Sequence, residues 1–530
     1  MRRTLAVIAG VVALLSLVPA AYAQAPVPKV TIVGLFDQIT STGNNFYDGN
    51  YTHTSDREWY ARSRFRPDFT FEVGRTKAVL GLEIDLVYGQ TGPCGAGPGK
   101  TIVSPGGAGT AGAPCPGEKS GATASGGLNT DVTGVIEIKW MYTEFDLTGK
   151  DALLPFIPVG TVARAGFQPF ATIANYKIAY ANGDFAGLDM YTTWAPNLKT
   201  HLAFVQVEEE VSGVNRLARN SIFRRGEDWA FIFSPEITPF KGLDIKPLFS
   251  YFSATGPTSS QARRAINNEQ GAVNPTEENR FTVGFDGRFR SGPFSLDPTI
   301  YYQFGDRTQR TAAGSLEATM SSWLVDIIGG FQLGPLLLEA RGIWSTGNNA
   351  KDDLRQKVNY FEPLDLDTSY YAGWAAILAL GVDYFNGGGG ANQGMDTNIG
   401  YDRYGRRQLG LRATYSLTPE LAFYAVVSPT WTDKKVDTDT NVVIGAVGGG
   451  GTGARNAPAT ATHGGDSRYI GTEVDLGTTW RFAPNTVFDL QGAYLFAGGA
   501  LDTTEVLAGV ANHRDSKDAW TVAARVRLSF

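Results

Sequence analysis

The segment Ala519 to Phe530, "AWTVAARVRLSF", alternates strictly. Trp520, Val522, Ala524, Val526, Leu528 and Phe530 form one face, and Thr521, Ala523, Arg525, Arg527 and Ser529 form the other. A side-chain period of two marks a β-strand with one apolar and one polar face. The pattern recurs in "VFDLQGAYLF", "PFSLDPTIYYQF", "NRFTVGFDGRFR" and "EWYARSRFRPDFTFE". About 18 such segments of roughly ten to fourteen residues run along the chain. They begin near residues 29, 57, 76, 131, 157, 184, 198, 227, 242, 279, 293, 316, 335, 403, 420, 467, 485 and 517. Between Ile136 and Phe145 the phase changes midway, which predicts a bulge.

Connections alternate in character. Short turns such as "EVGRTK", "WAPNLK", "TPFKG" and "FAPNTV" are followed by long polar, Gly-rich loops such as 91–130, 348–402 and 432–466. A soluble sandwich or propeller would bury its apolar faces and would show no such alternation. A transmembrane barrel requires an apolar outside, a polar inside, short periplasmic turns and long outer loops. The expected fold is therefore an all-β, up-and-down antiparallel barrel of about 18 strands, within roughly 16–20.

Tryptophan agrees with that assignment. Trp59, Trp140, Trp194, Trp229, Trp323, Trp344, Trp431, Trp480 and Trp520 fall on the apolar phase, mostly near strand ends. With Phe530 they are assigned to the aromatic belts at the two membrane–water interfaces.

Residues 1–23 have Arg2 and Arg3, an apolar run from Leu5 to Val18, and Ala21-Tyr22-Ala23. This is the order of a secretory signal peptide, leaving 24–530 as one barrel domain. After it no apolar stretch is long enough for a helical span. Charged residues make up 18%, and the net charge of -6 argues against nucleic acid as a partner. Cys94 and Cys115, the two cysteines, share one Gly/Pro-rich loop. In an exported chain they suit a loop-closing disulfide, whereas zinc would need further ligands.

Catalytic and cofactor motifs are not found. "CGAGPGKT" ends like a phosphate-binding loop but has Cys94 where the first glycine belongs. "DTDTN" has the alternating oxygens of a calcium loop, yet Val442 follows and no closing glutamate does. His53, His201, His463 and His513 are scattered, outside any hydrolase or metal motif. The expectation is a protein that is not an enzyme, with no cofactor and no metal.

The leader, long loops, short turns and terminal Phe530 resemble Gram-negative outer-membrane porins. The terminal aromatic is similar to the signal that such proteins present to the barrel-assembly machinery. More narrowly, Tyr469–Gly499 is similar to the closing hairpin of alginate-export-type porins, and Gly160–Phe170 to their Arg-x-Gly-x-Gln strand, here Arg164, Gly166 and Gln168. The resemblance implies outer-membrane lipid and lipopolysaccharide as surroundings. It leaves assembly open, since porins are often trimers and alginate-export-type barrels monomers.

If apolar faces meet lipid, the opposite faces line a lumen. The candidate pore-lining cations are Arg62, Arg64, Arg66, Arg164, Arg280, Arg288, Arg290, Arg341, Arg412, Arg525 and Arg527. The candidate acids are Asp68, Glu72, Glu83, Asp85, Asp286, Glu339, Glu473, Asp475 and Asp489. Because the last strand closes on the first, Arg525 and Arg527 stand near the Arg62, Arg64 and Arg66 row. Such a ladder can guide anions, or it can pair with wall acids and stiffen the barrel. An 18-strand pore needs an inward loop to sieve small solutes. Tyr176, Lys177 and Tyr180, in the third long loop, are assigned to that constriction. The apolar "YYAGWAAILALGVDYF" within 348–402 should pack into the lumen, on other loops or on a partner. The expected function is passive diffusion of small hydrophilic solutes, anionic ones among them. Export of an anionic polysaccharide and a structural or partner-binding barrel are the alternatives.

Overall fold

The computed structural model of the chain describes residues 27–45, 51–52, 57–88, 135–170, 176–177, 179–181, 183–209, 227–256, 276–311, 314–352, 354, 356–364, 374–378, 404–438, 442–444, 465–507 and 510–530. The first half of the barrel comprises β1 (Lys29–Asn44), β2 (Glu58–Val73), β3 (Thr76–Tyr88), β4 (Val135–Thr148), β5 (Thr161–Pro169), β6 (Asp184–Ala195), β7 (Leu198–Glu209), β8 (Glu227–Phe240) and β9 (Leu243–Gly256). The second half comprises β10 (Thr276–Ser291), β11 (Phe294–Thr311), β12 (Gly314–Leu333), β13 (Leu336–Ser345), β15 (Arg406–Ser416), β16 (Leu421–Val436), β18 (Ser467–Ala483), β19 (Thr486–Ala497) and β22 (Ala519–Ser529). Four short strands lie in the long connections: β14 (Lys357–Val358), β17 (Val442–Ile444), β20 (Thr503–Leu507) and β21 (Val510–Arg514).

Every barrel strand is antiparallel to the next, and the ring closes where Gln38 of β1 stands between Ser63 of β2 and Val526 of β22. The result is the closed 18-strand barrel that the pattern predicts. Each of the 18 predicted starts lies within a few residues of an observed one, because tight turns punctuate the strands. Six turns on one rim are two residues long, and left-handed backbone at Gly74 (φ 61°) and Asn485 (φ 55°) lets two of them close. The long loops gather on the other rim.

Alternation sends apolar residues outward. Leu476 is 62% exposed and Phe496 51%, whereas Asp475 and Glu473 beside them on the inner face are fully buried. Closure pairs the backbone within the ring, so the exterior presents apolar side chains to lipid. The chain is an integral outer-membrane protein. No helix among the described residues is long and apolar enough to cross a membrane; the strands cross instead. At the seam Phe530 exchanges backbone hydrogen bonds with Gly34 at 2.9 and 3.0 Å, and its ring packs beside Phe36 and Phe65.

One tryptophan departs from expectation. Trp59, Trp194, Trp323, Trp344, Trp431 and Trp480 are exposed on the outer face, and Trp229 and Trp520 share it. Trp140 turns inward. The register slips between Gly81 and Leu82, so that Gly81 faces Trp140 and Leu82 faces Ile138, leaving Lys139 as an extra residue. One inserted residue exchanges the two faces of the strand. The bulge expected between Ile136 and Phe145 is present, and it places the indole in the lumen. Cys94, Cys115, residues 1–23 and the phosphate-loop-like segment lie outside the described residues.

Candidate functional site

The lumen has two unlike halves. One is filled by loops that carboxylates hold in place. The connection between β5 and β6 enters first: Tyr176 and Lys177 donate their backbone N–H groups to Asp286 Oδ2 at 2.5 and 2.9 Å, and Thr299 Oγ1 donates to Oδ1 at 2.7 Å. Lys177 Nζ donates to the carbonyls of Asp297 and Asp326 at 2.7 and 2.6 Å. Burial pushes this ammonium below the usual lysine range against the pull of the Asp326 carboxylate. The Tyr180 hydroxyl donates to Ser250 Oγ at 2.7 Å. Asp286, Asp326 and Ser250 stand on β10, β12 and β9, well round the ring, so the segment spans part of the lumen. Arg288 lies 4.2 Å from the Tyr176 ring centre.

Residues 356–364 of the connection between β13 and β15 enter next. Glu362 accepts from Arg280 Nη1 at 2.8 Å and Arg307 Nη2 at 2.7 Å, and Glu278 accepts from the same two arginines at 2.9 and 2.8 Å. All four side chains are almost completely buried. Gln303 exchanges hydrogen bonds with the backbone of Glu362 at 2.7 and 2.9 Å, and Leu364 N–H donates to Tyr180 O at 2.7 Å, tying the two loops together. Farther along, Ile377 and Leu378 donate their N–H groups to Glu473 at 2.6 and 2.9 Å, and Ala376 donates to Asp475 at 3.3 Å. A buried apolar loop must find acceptors for its amides, and wall carboxylates supply them. Residues 374–378 of the apolar stretch thus pack inside the barrel. Their apolar neighbours are Ile470, Ala493, Leu495, Ala519 and Ala523 on β18, β19 and β22. Tyr180, Phe361 and Leu364 instead cover Ala203, Val205, Ala230 and Ile232, an apolar patch on the inner wall of β7 and β8.

In the other half, which no loop fills among the described residues, the charges are paired on the wall. Arg64 donates to both oxygens of Asp85 at 2.7 and 2.8 Å and also meets Glu83 at 2.9 Å. Arg66 reaches Glu83 at 3.0 Å, and Lys139 reaches Asp184 at 3.3 Å. Asp37 holds Arg527 at 2.6 Å, Asp489 holds Arg525 at 3.0 Å, and Glu144 holds Arg164 at 2.9 Å. Glu72 meets Lys29 at 3.3 Å. On the filled side too the wall charges are paired, Glu339 with Arg412 at 2.7 Å, Asp326 with Arg341 at 2.7 Å, and Asp297 with Arg290. Arg62 is buried on the inner face, and Asp68 lies beside Arg66 and Trp140. The Arg row and the Arg525/Arg527 pair therefore do meet across the seam, but interleaved with acids.

Sequence reasoning missed Asp37, Glu144, Glu278, Arg307 and Glu362. Asp37 shares its face with Ile39, buried to 1% exposure, so polarity did not mark that face. Glu144 lies beyond the bulge, and Glu362 lies in a loop whose partners are distant in sequence. On the loop rim His513 Nε2 lies 3.6 and 3.5 Å from the carboxylates of Asp502 and Asp515. Two of the three are open to water, as in a surface ion pair.

No protein-family model matches the chain, and no characterised protein matches it by sequence. Solved structures align with it along nearly their whole length. OccK8 (OprE) of Pseudomonas aeruginosa is 10% identical over 95% of this chain and 98% of that one, with a TM-score of 0.48. OprD of Pseudomonas aeruginosa is 9% identical over 96% of each chain, with a TM-score of 0.47. A BenF-like porin from Pseudomonas fluorescens Pf-5 is 10% identical over 95% and 99%, with a TM-score of 0.48. Their residues do not map onto this chain at such identities. The narrower resemblance to alginate-export-type porins is not supported. Its residues have local roles instead: Arg164 pairs with Glu144, Gly166 (φ 127°) packs against Tyr142, and Gln168 Nε2 donates to the carbonyls of Arg164 and Gly187 at 2.9 and 3.1 Å.

Proposed function

We propose that this protein is an outer-membrane channel through which small hydrophilic solutes diffuse passively. The observation that carries the reading is the division of the lumen. Pinned loops fill the side of β7–β13 and, through residues 374–378, pack on β18, β19 and β22, which narrows the bore, while toward the short-turn rim the wall from β19 through β22 and β1 to β6 keeps part-exposed charges facing inward. That wall supports weak ion preference rather than an anion filter, because its arginines already hold carboxylates. Fixed pairs can exchange hydrogen bonds with a passing hydrated solute without a large net field. Purified protein inserted in a planar bilayer should give a steady conductance, with a reversal potential near zero in a potassium chloride gradient. A bilayer that stays silent with inserted protein would overturn the channel, and a strongly anionic reversal potential would overturn its weak selectivity.

A further inference from the structure

The open wall carries aromatic rings that ion conduction alone does not require. Trp140 and Tyr142 on β4 and Tyr191 on β6 are part-exposed at inward positions. Backbone glycines make room for the first two. A Cβ at Gly81 would fall 2.0 Å from the Trp140 indole nitrogen, and one at Gly166 would fall 2.8 Å from Tyr142 Cα. A cation lies near each ring: Arg66 is 5.9 Å from the Trp140 centre, Arg164 is 4.7 Å from Tyr142, and Lys199 is 4.3 Å from Tyr191. Two of these cations are themselves held by acids, Arg66 by Glu83 and Arg164 by Glu144.

Flat apolar faces beside paired donors and acceptors suit one chemistry in particular. A pyranose ring has an apolar C–H face that lies against an aromatic ring, while its vicinal hydroxyls both donate and accept. Guanidiniums supply donors in a planar fork and carboxylates supply acceptors. An anion would gain from the arginines but meet Glu83 and Glu144 at the same place. A neutral sugar meets no such conflict. We propose that Trp140, Tyr142 and Tyr191 form a subsite for neutral mono- and oligosaccharides in the open half of the lumen. This inference rests on the channel reading and names a solute class for it.

The test uses full-length protein in a planar bilayer, with glucose, sucrose and maltotriose added while ion current is recorded. At least one sugar should interrupt the current in a concentration-dependent way. Trp140→Ala should raise the half-blocking concentration about tenfold, as loss of one aromatic contact predicts. Tyr142→Leu provides a second variant should the first fail to assemble, and Trp323→Ala, on the lipid face, should block like the unmodified protein. An open channel that no sugar interrupts overturns the proposal. So does equal block in both inner-face variants, or stronger block by benzoate that is lost in Arg164→Gln. Sugar binding to the detergent-solubilised protein, read by tryptophan fluorescence, separates the two readings. Binding without conductance would sink the channel and keep the subsite, whereas conductance with neither binding nor block would do the reverse.

Discussion

Glu362 and Glu83 each gather two arginines, yet the two clusters do different work. Arg280 and Arg307 around Glu362 are 0% and 1% exposed, and Glu278 completes a closed square with them. Arg64 and Arg66 around Glu83 are 13% and 31% exposed, and water reaches them from the lumen. At a separation of ~4 Å a charge pair is worth about 4 kcal/mol near a protein surface and about 1 kcal/mol in bulk water. The same residue types on the same inward phase therefore act as a fastener in the filled half and as a wetted lining in the open half. Alternation shows which way a charged side chain points. Burial decides what it does there.

The most severe way to break this comparison is to remove the loop's own carboxylate. Glu362→Ala removes one of the two carboxylates that hold Arg280 and Arg307 in a dry site, and losing one member of a buried ion network costs about 3–5 kcal/mol. The 346–405 loop should detach, raising single-channel conductance and opening the loop to proteases. Unchanged conductance with a protease-resistant loop would show that other contacts hold the filled half closed. Next in size is Asp286→Ala, which leaves the N–H groups of Tyr176 and Lys177 without their acceptor. Unsatisfied buried donors cost about 1–3 kcal/mol, so the conductance should become larger and noisier.

Much of this architecture was legible because it is local. Period-two runs such as Ala519–Phe530 and tight turns such as the one at Gly74 require no knowledge of the rest of the chain, and they locate all the barrel strands. The inner apolar patch was not legible. β8 carries Trp229, Phe231 and Phe233 outward and Ala230 and Ile232 inward, so both faces read as apolar until the loops that cover one of them are known. Trp140 was misplaced for a similar reason. A single bulged residue, Lys139, reverses the phase, and only the pairing with Gly81 reveals on which side of it the reversal occurs.

That pairing gives a third prediction, comparable to or smaller than the second. Gly81→Val would place a branched side chain against the indole, since even a Cβ comes within 2.0 Å of it. Forcing extra atoms into a packed site costs about 1–3 kcal/mol. The chemical-denaturation midpoint should fall, and an iodide quencher added from the aqueous side should reach tryptophan differently. If neither changes, Trp140 does not stand opposite Gly81, and the open half loses its aromatic wall.

The smallest effect on stability should come from the open cluster itself. Arg66→Gln removes a guanidinium, but Glu83 keeps Arg64 at 2.9 Å and Lys139 at 3.9 Å, so no buried charge is stranded. A part-exposed pair of this kind contributes about 0–1 kcal/mol, and the denaturation midpoint should scarcely move. Selectivity should move, because the wall loses a positive charge and its acids then weigh more. The reversal potential in a potassium chloride gradient should shift toward cation preference at low salt. Screening lengths fall from about 10 Å at 0.1 M to about 3 Å at 1 M, so the shift should fade as salt rises. A large drop in stability with no change in selectivity would mean that the Glu83 cluster is a fastener like that of Glu362. The division of the lumen into a filled and an open half would then fail at its most exposed point.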